Sequence, residues 1–312
     1  MTTPEDAWRK KIERWWKGEI HWKVPLAQYT TLRVGGPALA MIFPESVEAL
    51  AGLIVNLRRA EIPWKVIGRG SNILFSDRGF PGVILVMGAG FADISMISSK
   101  DDRVVVRVQS GCGLARLVSW CVEQGFSGLE FAAGIPGSVG GAVRMNAGAW
   151  GSEMATVVRK VKWLNRAGKP CESGREQLRF GYRALDLGEE AVLLETDFEL
   201  EPGESRKIEE TCRRLHKERK AKQPQKAASA GSFFKNPPHG AAGKLIEEAG
   251  LKGLQIGGAM VSDIHANFLI NTGNATARDF YELMNVIRNR VMAEKGIRLE
   301  TEVHIIGNFE DN

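Results

Sequence analysis

Two glycine-rich segments constrain this chain more than any other feature. Gly68-Arg69-Gly70-Ser71-Asn72 follows the strand-like run Trp64–Ile67, and residues 134–142 (GIPGSVGGA) lie a short way past the helical run Leu114–Gln124. Segments so poor in Cβ atoms let backbone N–H groups close on an anion. Neither has the GxGxxG spacing of a βαβ dinucleotide fold or the GxxxxGK[ST] of a P-loop. One such loop alone reads equally well as a turn. Two of them, each near strands, predict two walls of one diphosphate site.

Around these loops short strands and helices alternate without regular βαβ spacing, which predicts an α+β fold. Residues 39–43, 83–87, 104–108, 157–164 and 191–200 read as strands. Residues 47–60 read as a helix with Leu50, Ile54 and Leu57 on one face. Trp8, Ile12, Trp15 and Trp16 predict an amphipathic leading helix that packs on the body. Residues 206–222 carry eight Lys/Arg and one His, with Ile208, Cys212 and Leu215 on one face, and read as a charged helix bridging two domains.

The last part of the chain reads as a separate unit. Residues 241–249 form a helix that stops at Gly250. Thr276 and Asp279 have the spacing of a capping box, and Phe280, Leu283, Met284, Ile287 and Val291 form a core stripe that ends before Gly296. Residues 298–306 predict one alternating strand. Its apolar face holds Leu299, Thr301, Val303 and Ile305, and its polar face holds Glu300, Glu302 and His304, aimed at a cleft.

The net charge of +5 points to an anionic partner, although the same charge also serves solubility. No apolar run reaches membrane-spanning length, and the N-terminal residues lack the pattern of a secretory signal, so a cytoplasmic location is expected. Cys112, Cys121, Cys171 and Cys212 form no CxxC pair, and free thiols are expected. No His, Cys or carboxylate cluster has metal-ligand spacing; His265 reads as a structural histidine. The GxSxG elbow of a serine hydrolase is missing.

Two polar clusters stand out. Residues 229–237 (SAGSFFKNP) offer hydroxyl, amide and ammonium groups suited to an anionic ligand, or an ordinary surface turn. Residues 180–183 (FGYR) join an aromatic ring to a guanidinium able to bind a carboxylate or phosphate.

Taken in order, several long motifs resemble the UDP-N-acetylenolpyruvoylglucosamine reductase family. They are residues 30–38 (TTLRVGGPA), 67–74 (IGRGSNIL), 128–153 (GLEFAAGIPGSVGGAVRMNAGAWGSE), 180–183, 230–237 and 299–307. The resemblance runs from about Val24 to Gly307. It implies a vanillyl-alcohol-oxidase-type FAD-binding fold of two subdomains, residues 1–80 and 81–205, followed by a linker helix and an α+β substrate-binding domain over 206–312. It implies noncovalent FAD at Gly68, Arg69, Gly70, Ser71 and Asn72 and at Gly134, Ile135, Pro136, Gly137, Ser138, Gly140 and Gly141, since the first loop holds neither His nor Cys for a flavin bond.

The implied reaction has two halves: NADPH reduces FAD, and the flavin then reduces the enolpyruvyl ether of UDP-N-acetylglucosamine to the lactyl ether of UDP-N-acetylmuramate, a peptidoglycan precursor. Hydride addition to the terminal vinyl carbon builds negative charge on the adjacent carbon and its carboxylate, which calls for a cation and a proton donor. The resemblance makes Arg183 the cation, Ser232 the donor and Glu302 the third catalytic group. It makes Lys235 and Asn236, and more weakly Arg219, substrate-binding residues. Three positions depart from the family pattern: Leu185 for Ser, His304 for Arg and Tyr29 for Asn. The short interval between Arg183 and Arg219 leaves no room for the tyrosine loop of the longer subclass.

The rival readings are another FAD-dependent oxidoreductase of this fold, an inactive flavin-binding homologue, and a nucleic-acid binder using residues 206–222. The basic run lacks aromatic residues for base stacking and is interrupted by Glu209, Glu210 and Glu218. The expected partner is therefore a small molecule, with no nucleic acid, no membrane span and a monomeric chain.

Overall fold

The computed structural model describes residues 4–100, 102–225, 227–238 and 240–310. The chain divides into two compact units. The first gathers the residues up to Trp22, Leu39–Gly68 and Gly82–Lys217; the second gathers Lys23–Ala38, Arg69–Pro81 and the residues from Glu218 onward. The chain thus passes from one unit to the other inside the charged helix, which spans Ser205–Lys222.

The first unit has two apolar cores. One lies on a four-stranded sheet ordered Ile20–Pro25, Pro37–Ile42, Phe80–Val86, Trp64–Ile67. Helix Val47–Arg59 buries Leu50, Leu53, Ile54 and Leu57 in that core together with Ala40, Ile42, Val83 and Leu85. Its start is set by Ser46, whose hydroxyl accepts from the Ala49 amide at 3.2 Å. The leading helix, Pro4–Trp15, adds Ile12, and Trp16 follows it into the same core. The tryptophan-rich segment is therefore a packing element.

The second core covers one face of an antiparallel sheet ordered Pro170–Gly174, Val158–Leu164, Val192–Pro202, Arg103–Gln109, Ile94–Lys100. Val104, Val106 and Val108 alternate inward and meet Val161, Phe198 and helix Leu114–Gln124. The intervening residues of the same strands carry a charge ladder. Arg107 grips the buried Asp197 with two hydrogen bonds, Nε–Oδ1 at 2.7 Å and Nη2–Oδ2 at 2.9 Å. Lys162 Nζ lies 2.6 Å from Glu195 Oε1 on the neighbouring strand position.

The second unit is built on an antiparallel sheet ordered Ala228–Ser232, Phe268–Asn271, Ala259–Val261, Gln255–Ile256. Helices Ala242–Glu248 and Ala277–Lys295 supply Ala242, Leu245, Ile246, Phe280, Leu283, Met284, Ile287 and Val291 to its core. The capping box forms: the Thr276 amide donates to Asp279 Oδ2 at 2.9 Å, and the Asp279 amide donates to Thr276 Oγ1 at 3.1 Å. Asp77 accepts from the next two amides, Ala277 at 2.9 Å and Arg278 at 2.8 Å. Four donors at the helix start are therefore used or shared by side chains.

The expectation of one continuous strand over 298–306 is corrected. Only His304–Ile306 is a strand, and it runs parallel to Ile73–Phe75. Residues 299–303 are irregular, with Thr301 forming a single bridge to Phe234. Leu299 and Val303 are still buried, as the alternation required. The ladder breaks because the Glu302 and Val303 amides both turn onto the carbonyl of Phe233, at 2.9 and 3.4 Å.

Two outcomes follow from these contacts. Replacing Asp197 by Ala removes two charge-assisted hydrogen bonds from Arg107, which keeps Glu195 at 3.2 Å, and should lower unfolding free energy by about 2 kcal/mol, read from urea denaturation. At Asp279, burial opposes the charge, but hydrogen bonds from Thr276 and Gly258 outweigh it and hold the carboxyl below its ordinary range. A carboxyl depressed on folding stabilises above its unfolded value of about 3.9, and that contribution is lost as pH falls through the folded value. The stability gap between the protein and Asp279→Asn should therefore be widest near neutrality and close as pH drops below about 4.

Candidate active site

In the first unit Gly68, the first residue of its segment, packs against the second glycine segment. A Cβ on Gly68 would sit 2.2 Å from Ser138 Oγ, and one on Gly140 would sit 2.7 Å from Ser110 Cβ. Ser138 caps the short helix Val139–Arg144, its hydroxyl accepting from the Gly141 amide at 3.3 Å. Several amides of this loop are committed within the protein: Val139 to Cys112 O and Gly140 to Ser110 O at 2.8 Å, and Ile135 to Ala132 O at 3.0 Å. The segment 134–142 is therefore half loop and half helix start, held tightly against residues 110–113.

Residues 69–72 belong to the second unit. Gly70 has φ 59°, and a Cβ there would lie 1.9 Å from the carbonyl oxygen of Tyr29. The Thr31 amide donates to Gly70 O at 3.1 Å. Asn72 uses its side chain elsewhere: Nδ2 donates to the carbonyl of Glu302 at 3.0 Å, while its own carbonyl accepts from the His304 amide at 3.1 Å.

Arg183, in the first unit, sits at the tip of a two-residue hairpin between Arg179–Gly181 and Ala184–Asp186. It is held at φ 56°, a left-handed backbone unusual for a side chain of this size. Its Nη1 lies 3.5 Å from the carbonyl of Gly148, and its guanidinium carbon lies 5.3 Å from the Tyr182 ring centroid. Leu185, one of the departures from the family pattern, is buried in the core beneath this hairpin.

Ser232, Lys235, Asn236 and Glu302 belong to the second unit. Ser232 ends its strand opposite Phe268, after a bulge between Ser229 and Ser232 that Gly231 accommodates at φ 77°. Phe233 and Phe234 follow it into the core and anchor the turn. Asn267 clamps that turn: its Oδ1 accepts from the Phe234 amide at 2.9 Å, and its Nδ2 donates to the Phe234 carbonyl at 2.8 Å. The Glu302 amide donates to Phe233 O, and Ser232 directly precedes Phe233, so both are tied to that one residue.

Lys235 is tied to Glu300 twice. Its amide donates to Glu300 O at 2.8 Å, and its ammonium lies 3.5 Å from the Glu300 carboxylate. Asn236 Oδ1 accepts from the Ala242 amide at 3.0 Å, at the start of a helix. Arg219 is half-buried on the last turn of the charged helix. Asn267 and Asn146 went unnoticed in the sequence. The one available signal for Asn146 was its place in the long motif at 128–153.

A family model described as an FAD binding domain matches residues 38–174. A second, described as the UDP-N-acetylenolpyruvoylglucosamine reductase C-terminal domain, matches residues 223–306. The reductase of that name from Syntrophus aciditrophicus is 43% identical across 93% of this chain and 93% of its own. The chain belongs to the UDP-N-acetylenolpyruvoylglucosamine reductase family. The Bacillus subtilis member is 40% identical across 93% of this chain and 95% of its own. The crystal structure of the Thermus caldophilus member superposes with a TM-score of 0.75 at 36% identity, covering 93% of this chain and 98% of that one.

Membership makes the chain an FAD-dependent oxidoreductase with an α+β fold, as the motif order implied. At Gly68 and Gly140 a larger residue would collide with Ser138 and Ser110, so both glycines are required by the packing of the loops. Among the described residues no group of His, Cys, Asp and Glu could hold a metal ion, and no helix is long and apolar enough to cross a membrane. Replacing Gly70 by Ala forces a Cβ onto the Tyr29 carbonyl and adds about 1–2 kcal/mol of left-handed strain. The purified variant should carry less flavin, seen as a lower ratio of flavin to protein absorbance.

Proposed function

We propose that the chain reduces UDP-N-acetylglucosamine enolpyruvate to UDP-N-acetylmuramate with NADPH, using Arg183, Ser232 and Glu302. When bound, FAD supplies the hydride chemistry that links NADPH to the substrate's vinyl group. The Arg183 guanidinium pairs with the substrate carboxylate and faces the negative charge that grows as the vinyl group is reduced. Ser232 Oγ delivers a proton to the carbon beside the carboxylate. Glu302 completes the polar surround of the vinyl group. Gly68, Arg69, Gly70, Ser71 and Asn72, and residues 134–138, 140 and 141, are the flavin-binding residues. Lys235, Asn236 and Arg219 serve the sugar nucleotide.

The observation that carries this reading is the shared anchor at Phe233. The Glu302 amide bonds to Phe233 O one residue after Ser232, on a turn clamped by Asn267 and anchored by two buried phenylalanines. A donor and a carboxyl held by backbone on a packed core meet the positioning demand of proton transfer. The matched spans, 38–174 and 223–306, support an FAD-binding portion within 1–205 and a substrate domain within 206–312.

A small molecule is the partner, and the chain acts as a cytoplasmic monomer without nucleic acid. In the basic helix, Arg206 pairs with Glu210, Lys207 with Glu204 and Arg213 with Glu209, which uses up cations that a phosphate backbone would need.

Under anaerobic conditions NADPH should bleach the flavin, and the enolpyruvyl sugar nucleotide should restore the colour. Ser232→Ala should leave the bleaching intact and slow the recolouring by about 100-fold or more. A flavin that NADPH leaves yellow would remove the reductase reading, and equal slowing of both steps would remove Ser232 as the donor.

A further inference from the structure

A left-handed arginine at a hairpin tip needs something to hold it. Two carbonyls bear on Arg183: that of Gly181, which opens the turn, and that of Gly148, 3.5 Å from its Nη1. Both are governed by one residue. Asn146 is 1% exposed and is itself left-handed, at φ 41°. Its Nδ2 donates to Gly181 O at 3.1 Å, and its Oδ1 accepts from the Ala155 amide at 3.0 Å.

The second bond closes the segment that carries Gly148. Residues Gly148–Ala149 pair with Ser152–Glu153 in a small ribbon, and the Met154 amide returns to Ala147 O at 3.0 Å. Asn146 therefore joins the base of this ribbon to the base of the arginine hairpin. One end of the Asn146 amide bonds the turn that carries the guanidinium, and the other bonds Ala155 at the foot of the ribbon that carries Gly148.

We infer that Asn146 is a positioning residue, which fixes the direction of the Arg183 guanidinium by bridging Gly181 and Ala155. The inference rests on the reading of Arg183 as the cation for the substrate carboxylate. An amide suits the bridge because it donates and accepts at once. An ionised aspartate keeps the bond from Ala155 but sets a negative oxygen against the Gly181 carbonyl.

The test measures both half-reactions of the flavin-loaded enzyme for Asn146→Asp, Arg183→Lys and the double variant. Asn146→Asp should retain flavin and be bleached by NADPH within about twofold of the parent rate, but recolour about tenfold or more slowly with the enolpyruvyl sugar nucleotide. Relative to the parent at the same pH, the deficit should shrink as pH falls, because a protonated carboxyl again donates to Gly181 O. The double variant should recolour no more slowly than Arg183→Lys alone, since the two changes remove one function.

Parent-like recolouring by Asn146→Asp, or a deficit that adds in full to that of Arg183→Lys, would overturn the inference while leaving Arg183 in place. Parent-like recolouring by Arg183→Lys would instead sink the reading of Arg183, and the inference with it. If Asn146→Asp fails to hold flavin, Asn146→Ser takes its place with the same criteria. Loss of flavin in both would make Asn146 a folding residue and overturn its positioning role.

Discussion

The carbonyl of Phe233 is the contact on which the turn holding Ser232 and the segment holding Glu302 both depend. Its residue is pinned by a ring with no solvent exposure and by its own amide, which donates to Asn267 O at 2.7 Å. That pinning turns an ordinary backbone acceptor into a fixed point. The amides of Glu302 and Val303 converge on it, and Ser232 precedes it. A hydroxyl and a carboxyl from distant parts of the chain are thereby held by main-chain bonds, which vary less than side-chain rotamers do. The price is a broken strand at residues 299–303, because one carbonyl cannot serve two amides within a regular ladder.

The first unit solves a related problem differently. Gly68 packs against Ser138, and Gly140 against Ser110, only because neither glycine carries a side chain. Arg183 is raised on a hairpin in a conformation that costs energy, and the bonds from Asn146 and to Gly148 O offset that cost. In both units a buried asparagine spans two backbone groups, Asn146 beneath the arginine hairpin and Asn267 beneath the serine turn. Asparagine does this well because it presents a donor and an acceptor at the spacing of a peptide group.

Local chemistry made much of the fold readable in advance. Helix Leu114–Gln124, strand Trp64–Ile67 and the Thr276–Asp279 box sit where periodicity and capping residues put them. The expected helix over 206–222 runs through the point where the chain changes units. The alternation over 298–306 does not yield a continuous strand, because it records which side chains are buried and carries no information on which carbonyl an amide will choose. Leu299 and Val303 are buried as expected, yet the backbone between them follows Phe233.

Motif order in the chain was enough to establish the family, the α+β class and the dependence on FAD. It also named Arg183, Ser232 and Glu302 as the residues to examine, since residue type and order are properties of the chain itself. What folding added is the support beneath them: the bulge at Gly231, the Asn267 clamp, the shared Phe233 carbonyl, and the Asn146 bridge to Gly181. Asn146 and Gly181 lie 35 residues apart, and Asn72 and Glu302 lie 230 apart. Hydrogen bonds across such separations leave no periodic trace in a sequence, because they are set by packing once the cores have formed.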